Sequence, residues 1–252
     1  RFPPCCFARL KARDVINAGF GAGPRWLVLS ADRGLQQVAA GTFPGAVLVQ
    51  LGLGSPEAWE SEGHRERWEQ DVKHMTHRTP YKLRCHIFQA RRLAPTGGDG
   101  LVDAFVRVNF SGSDAAHTDT VKNSRDPTFY QTLEFDCALP RLHYAPLVVV
   151  QVRDAARPSH VLGCFLADLA RDARRVSRDD AATTFPDPRW YALSREERGD
   201  AEGEVLASFD LVAKKTPDEI LATPPSLLPA TRPATVDVVA LGLRDLAPFR
   251  KP

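Results

Sequence analysis

The chain has 252 residues, of which 43% are hydrophobic, 25% charged and 8% aromatic; this is the balance of a folded globular chain and excludes wholesale disorder. Thirty-three basic against thirty-one acidic residues leave a formal net charge of +2, too small an excess for a nucleic-acid-binding surface. The length suits one complete domain with pieces of neighbours, and no apolar run approaches the ~18 residues that a helix needs to span a bilayer.

Residues 1–54 read as short extended segments, 7–10, 26–29 and 46–51, punctuated by Gly19, Gly21, Gly23, Gly41 and Gly45. They are β-rich but too short to close a core of their own. Ser55-Pro56-Glu57 then supplies an N-cap, a proline at the first helical position and an early acid, while Lys73, His74, His77 and Arg78 form a cationic end. This predicts one connecting helix over 56–76, interrupted at Gly63, in a connector of 55–79. Its Trp68, Val72 and Met75 share one stripe and are expected to pack on a neighbour.

From Tyr81 the period changes to two. Leu83, Cys85 and Ile87 alternate with Arg84 and His86; Val106, Val108 and Phe110 alternate with Arg107 and Asn109; Val205, Ala207, Phe209 and Leu211 alternate with Glu204, Ser208 and Asp210. Each reads as a strand with one wet face. Residues 147–152 read as a central strand, and shorter strands are expected at 118–121, 132–135, 162–166 and 190–193. With turn signals between them, the fold class is all-β: an eight-stranded antiparallel sandwich over 80–215, preceded by the β-rich segment and the helix.

After Lys215 the prolines 217, 224, 225, 229 and 233 mark a linker, 216–235, expected to transmit little packing to the sandwich. Beyond it, Val236 to Pro248 aligns with Leu83 to Pro95 without a gap, matching at Arg91 and Arg244 and again through Leu-Ala-Pro. This predicts a tandem array in which 236–252 begins another sandwich. The chain opens on Arg1, has Met75 as its only methionine and stops just after a strand-like segment, so it reads as a piece of a longer protein. Five cysteines without a C-x-x-C pair suggest a reducing cytosol.

Two motifs carry a resemblance. Lys122-Asn123-Ser124-Arg125-Asp126-Pro127-Thr128-Phe129 resembles the lysine, Asp-Pro and aromatic signature between the middle strands of C2 domains, the proline forcing a turn and the aromatic plugging the sandwich end. Gly100 to Val108 resembles that family's glycine, Ser-Asp-Pro-Phe and strand pattern, with Ala104 in place of the proline. The run Tyr81 to Leu93 is similar to the opening of a middle C2 domain in ferlins, with Phe88 where the family's Tyr-Gln-Ala-Arg run has tyrosine. Residues 7–15 and 45–54 resemble the ferlin B-domain, 236–249 resembles the start of the next ferlin C2 domain, and the absence of an insert between them resembles the otoferlin-like branch.

The resemblance implies a Ca²⁺ site between two loops, where a divalent ion needs several carboxylates to replace its hydration shell. Here only Asp103 and Asp154 match; Asp99 is displaced by two residues, and Arg153 and Arg157 stand close by. The site is therefore read as degenerate, with no resident cofactor, and Asp103 and Asp154 as hydrogen-bonding their own loops. Leu101, Val102, Arg157 and Val161 flank these acids and are the expected membrane contacts. His74 and His77 lack a third metal ligand, and the basic run Arg171, Arg174, Arg175 and Arg178 reads as a solvated loop, with contact to anionic lipid as the alternative. No nucleophile elbow or phosphate-binding loop is present, so no enzyme is expected.

The expected function is membrane docking or vesicle fusion at the cytoplasmic face of a membrane, in a protein anchored outside this segment. Its expected partners are anionic phospholipid, neighbouring domains of the same chain and other proteins, with no nucleic acid. The competing reading is a spacer or protein-interaction module that meets neither calcium nor lipid.

Overall fold

The computed structural model describes residues 6–18, 23–31, 45–94, 100–194 and 203–239. The N-terminal segment contains β1 (Cys6–Phe7), α1 (Ala12–Ala18), β2 (Arg25–Val28), β3 (Ser30–Ala31) and β4 (Ala46–Val49), with β1 paired to β3 and β2 to β4. The helix α1 is unexpected; at seven residues it is too short to show a helical period.

The connector forms two helices, α2 (Pro56–Trp59) and α3 (Glu62–Thr76), and the break lies before Gly63. Ser61 makes it: its hydroxyl donates back to the Ala58 carbonyl at 3.0 Å, closing α2, while its own carbonyl accepts the first amides of α3. Gly63 sits inside α3. The far end of α3 docks on the sandwich, where the Tyr144 hydroxyl donates to Asp71 Oδ1 at 2.6 Å and the Arg141 amide to the His74 carbonyl. Val72 and Met75 are half-buried, whereas Trp68 is exposed.

The sandwich comprises β5 (Thr79–Arg91), β6 (Ala104–Asn109), β7 (Ala116–His117), β8 (Thr128–Leu139), β9 (Val148–Asp154), β10 (Arg157–Ala167), α4 (Leu169–Asp172), β11 (Ala173–Val176), β12 (Arg189–Ala192) and β13 (Glu204–Ala213). A four-stranded sheet, β10-β9-β6-β7, packs on a five-stranded one, β11-β13-β5-β8, in which β12 also pairs with β13. Inward residues follow the alternation: Leu83, Cys85 and Ile87 from β5, Val106 and Val108 from β6, Val205, Ala207, Phe209 and Leu211 from β13. Phe129 plugs the loop end of this core. The Cys85 thiol lies in it, and burial pushes its pKa upward, so it is inert.

Two strand expectations change. Pairing at 118–121 gives way to β7 and a single bridge from Val121 to Ala104, because the Thr118 hydroxyl takes the Val106 amide at 3.0 Å in place of a ladder carbonyl. The basic run holds a strand rather than a loop, since β11 pairs with β13 in parallel over Phe209 to Val212.

The expected wet face of β5 and β13 is also dry. Arg84 is 2% exposed, His86 1% and Asp210 4%. Arg84 Nε donates to Glu134 at 2.9 Å, and its terminal nitrogens donate to the carbonyls of Ala181 and Ala222. His86 sits between Thr132 Oγ1 at 2.9 Å and Asp210 Oδ2 at 3.2 Å, and Arg174 forks onto both Asp210 oxygens at 3.0 and 2.9 Å. Burial alone would raise the Asp210 carboxyl, but the bonds from His86 and Arg174 outweigh it and hold the group below the ordinary carboxylate value.

The roof over this polar layer is made by residues 173–187 and by the proline-rich segment, which therefore packs against the sandwich. Leu221 joins Val176, Ala181 and Val212. Lys214 Nζ donates to Asp136 at 2.8 Å and to the Pro217 carbonyl, and Glu219 lies 3.9 Å from Arg178. Residues 223–239 form no helix or strand, and Leu228, Val236, Val238 and Val239 are exposed.

Candidate membrane-facing site

The loops at one end of the sandwich hold the matched acids. Asp103 Oδ1 accepts the Asn123 amide at 2.9 Å, and its carbonyl accepts the Ala155 amide at 2.7 Å, so this one residue ties the three loops together. Asn123 turns there with φ 54°, a left-handed conformation that asparagine tolerates better than most residues. Asp154 is buried, and its Oδ1 accepts the Ala156 amide at 3.0 Å across the turn into β10. Both carboxylates thus hold loop backbone, and among the described residues no three His, Cys, Asp or Glu side chains gather as an ion would need. Asp99 lies outside the described residues.

Of the four expected membrane contacts, two remain at the surface. Leu101 is 40% exposed and Arg157 is exposed. Val102 and Val161 are corrections: they are 3% and 1% exposed. Val102 closes the core beneath its own loop, its carbonyl accepting the Ser124 amide, and Val161 lies between two register shifts of the β9–β10 pair. A side chain already inside the protein has no apolar surface to give to lipid.

A group that the residue pattern did not single out lies beside these tips, on the outer face of the four-stranded sheet. The β6–β9 register puts Phe105 opposite Arg153 and Arg107 opposite Gln151, so the two arginines are diagonal neighbours. Arg153 donates to Gln151 Oε1 at 3.0 and 3.2 Å, while Arg107 makes no ion pair among the described residues. Partial burial and the Arg107 charge together lower the Arg153 pKa, the mark of two cations sharing one face. His117, opposite Arg107, stacks edge-on to Phe105 at 5.9 Å, and Lys122 is exposed on the adjoining loop. The signal in the sequence was the alternation of 105, 107 and 109; the juxtaposition with 153 needed the register.

Residues 81–186 match the family model of the C2 domain, and this sandwich is a C2 domain. The chain is 24% identical to Multiple C2 domain and transmembrane region protein 6 of Arabidopsis thaliana over 184 residues, which is 68% of this chain and 17% of that protein. It is 28% identical to Fer-1-like protein 4 of Mus musculus over 197 residues, 66% of this chain and 10% of that one. A solved C2 domain of plant Extended Synaptotagmin 1 covers 54% of this chain and 96% of its own, at 13% identity and a TM-score of 0.42. The chain therefore spans a small fraction of the curated relatives it matches.

Proposed function

We propose that this C2 domain is a non-enzymatic membrane-docking module of a ferlin-like protein, meeting anionic phospholipid at a cytoplasmic membrane face through the Arg107–Arg153 face and the tips at Leu101 and Arg157. The observation that carries this reading is the pair of neighbouring half-buried guanidiniums on the outer face of the four-stranded sheet, with Arg107 making no ion pair among the described residues. Basic side chains near an anionic leaflet contribute about 1 kcal/mol each. In this reading docking proceeds without a bound Ca²⁺: Asp103 and Asp154 brace loop backbone, and no third His, Cys, Asp or Glu among the described residues gathers with them. The wider role, docking or fusion of vesicles, follows from the ferlin-like kinship, and the order of a B-like segment, a connector and a C2 domain supports the otoferlin-like branch.

Flotation of the whole chain with phosphatidylserine vesicles, with Ca²⁺ or with a chelator, tests the reading. Binding should be equal in both and should weaken as salt rises. Binding abolished by the chelator would make the site a calcium site. No binding in either condition would favour the spacer or protein-interaction reading.

A further inference from the structure

We infer that Ser177 is a phosphate-acceptor site for an arginine-directed serine kinase, and that its phosphate unfastens the segment 216–222 from the sandwich. This rests on residues remote from the loop tips and is independent of the membrane reading.

Ser177 follows β11 directly, within Arg174-Arg175-Val176-Ser177. Kinases that select basic substrates read positive charge two and three residues before the target, from an extended chain laid in an acidic groove. The strand supplies that conformation. Among the described residues β11 pairs only with β13, which leaves its other edge open. Arg175 and Ser177 are exposed, while Val176 is buried and anchors the strand. Arg174 is only partly available, because its guanidinium holds Asp210 and the Phe185 carbonyl, so Arg175 carries most of the recognition.

The reaction is ordinary phosphoryl transfer from a nucleoside triphosphate. Ser177 Oγ bonds to the γ-phosphorus, the bond from that phosphorus to the β-γ bridging oxygen breaks, ADP leaves with the electron pair, and the hydroxyl proton passes to the kinase's base.

The local geometry fixes the consequence. The Ser177 hydroxyl now donates to Asp180 Oδ2 at 2.6 Å and accepts the Asp180 amide at 3.1 Å, closing the turn that continues through Ala181. A phosphoserine carries about two negative charges and has no proton to offer that carboxylate, so Asp180 is driven away. Ala181 moves with it, and two fastenings of the roof pass through this turn: the Ala181 carbonyl on Arg84, and Ala181 against Leu221. A third weakens as the phosphate competes with Glu219 for Arg178.

The whole chain is incubated with Mg-ATP and the catalytic subunit of an arginine-directed serine kinase, and phosphate is mapped by mass spectrometry. One phosphate at Ser177 is expected, absent in Ser177→Ala and added at least tenfold more slowly to Arg175→Ala, whose exposed side chain can be removed without touching the core. Limited proteolysis within 216–223 should then be at least tenfold faster in the phosphorylated chain, with β5 still protected. No phosphate on the folded chain, equal rates for Arg175→Ala, or unchanged cleavage over 216–223 would each overturn the proposal.

Discussion

The two outer faces of the sandwich use arginine in opposite ways. On the five-stranded sheet, Arg84 and Arg174 are matched to Glu134, Asp210 and backbone carbonyls beneath a roof of chain. On the four-stranded sheet, the half-buried Arg107 and Arg153 share the outer face with each other, with Gln151 and with His117. A buried guanidinium is tolerated only when its donors are met, and then it fixes one arrangement of the chain. On the other face Arg153 is held by Gln151 and no carboxylate pairs with Arg107 among the described residues, so two like charges stand side by side. The first face should therefore report in stability and the second in binding.

The largest expected effect is on the roofed face. Arg84→Ala strands the buried Ala181 carbonyl, releases that of the exposed Ala222 and leaves Glu134 without its partner, and should cost about 3 kcal/mol by urea unfolding, with vesicle binding of the folded protein unchanged. A loss below about 0.5 kcal/mol, the scale of surface substitutions, would mean that the network is incidental.

Deleting residues 217–252 comes next. It removes the Ala222 carbonyl from Arg84 and Leu221 from its cluster, so the thermal midpoint should fall by several degrees, corresponding to about 1–2 kcal/mol for a domain of this size. An unchanged midpoint would return this segment to the role of a passive linker.

Acid should act on the same face. Asp210 is depressed in the folded state, and so is Asp172, whose own burial is outweighed chiefly by its bond from Arg171. A carboxylate with a lowered folded pKa contributes stability that is complete above its unfolded value of about 3.9 and lost as pH falls through the folded value. Unfolding free energy should thus be insensitive to these two groups near neutrality and decline below about pH 4. Asp210→Asn should be less stable at pH 7 and show a shallower acid decline; an equally steep decline would remove Asp210 from the account.

The smallest stability effect is expected at the loop tip. Leu101→Asp should change stability by less than about 0.5 kcal/mol yet weaken vesicle binding roughly tenfold, the equivalent of about 1.4 kcal/mol. Val102→Asp, one residue on, places a charge in the core and should prevent folding. If Leu101→Asp binds as the parent does, the first loop does not enter the bilayer.

Much of the sandwich was legible because alternation is local. The inward residues of β5, β6 and β13 follow the period of two, and Phe129 follows its Asp-Pro turn into the core. What alternation cannot show is which outward face another part of the chain will cover. Arg84 is roofed by residues about a hundred and more positions away, so its burial had no local sign. Val102 and Val161 failed for a related reason: apolar residues beside loop acids look alike whether they plug the core or crown it. Arg107 was visible on a wet face and Arg153 beside the loop acids, but their adjacency depended on the register of β6 with β9.

The central claim, that the Arg107–Arg153 face and not a calcium site brings this domain to anionic lipid, is tested most directly by the double charge reversal Arg107→Glu, Arg153→Glu. With phosphatidylserine vesicles and chelator present, the whole chain carrying both substitutions should keep its thermal midpoint and lose at least thirtyfold in vesicle affinity, since removing two cations near an anionic surface forgoes about 2 kcal/mol. Unchanged affinity in a folded double variant would contradict the claim.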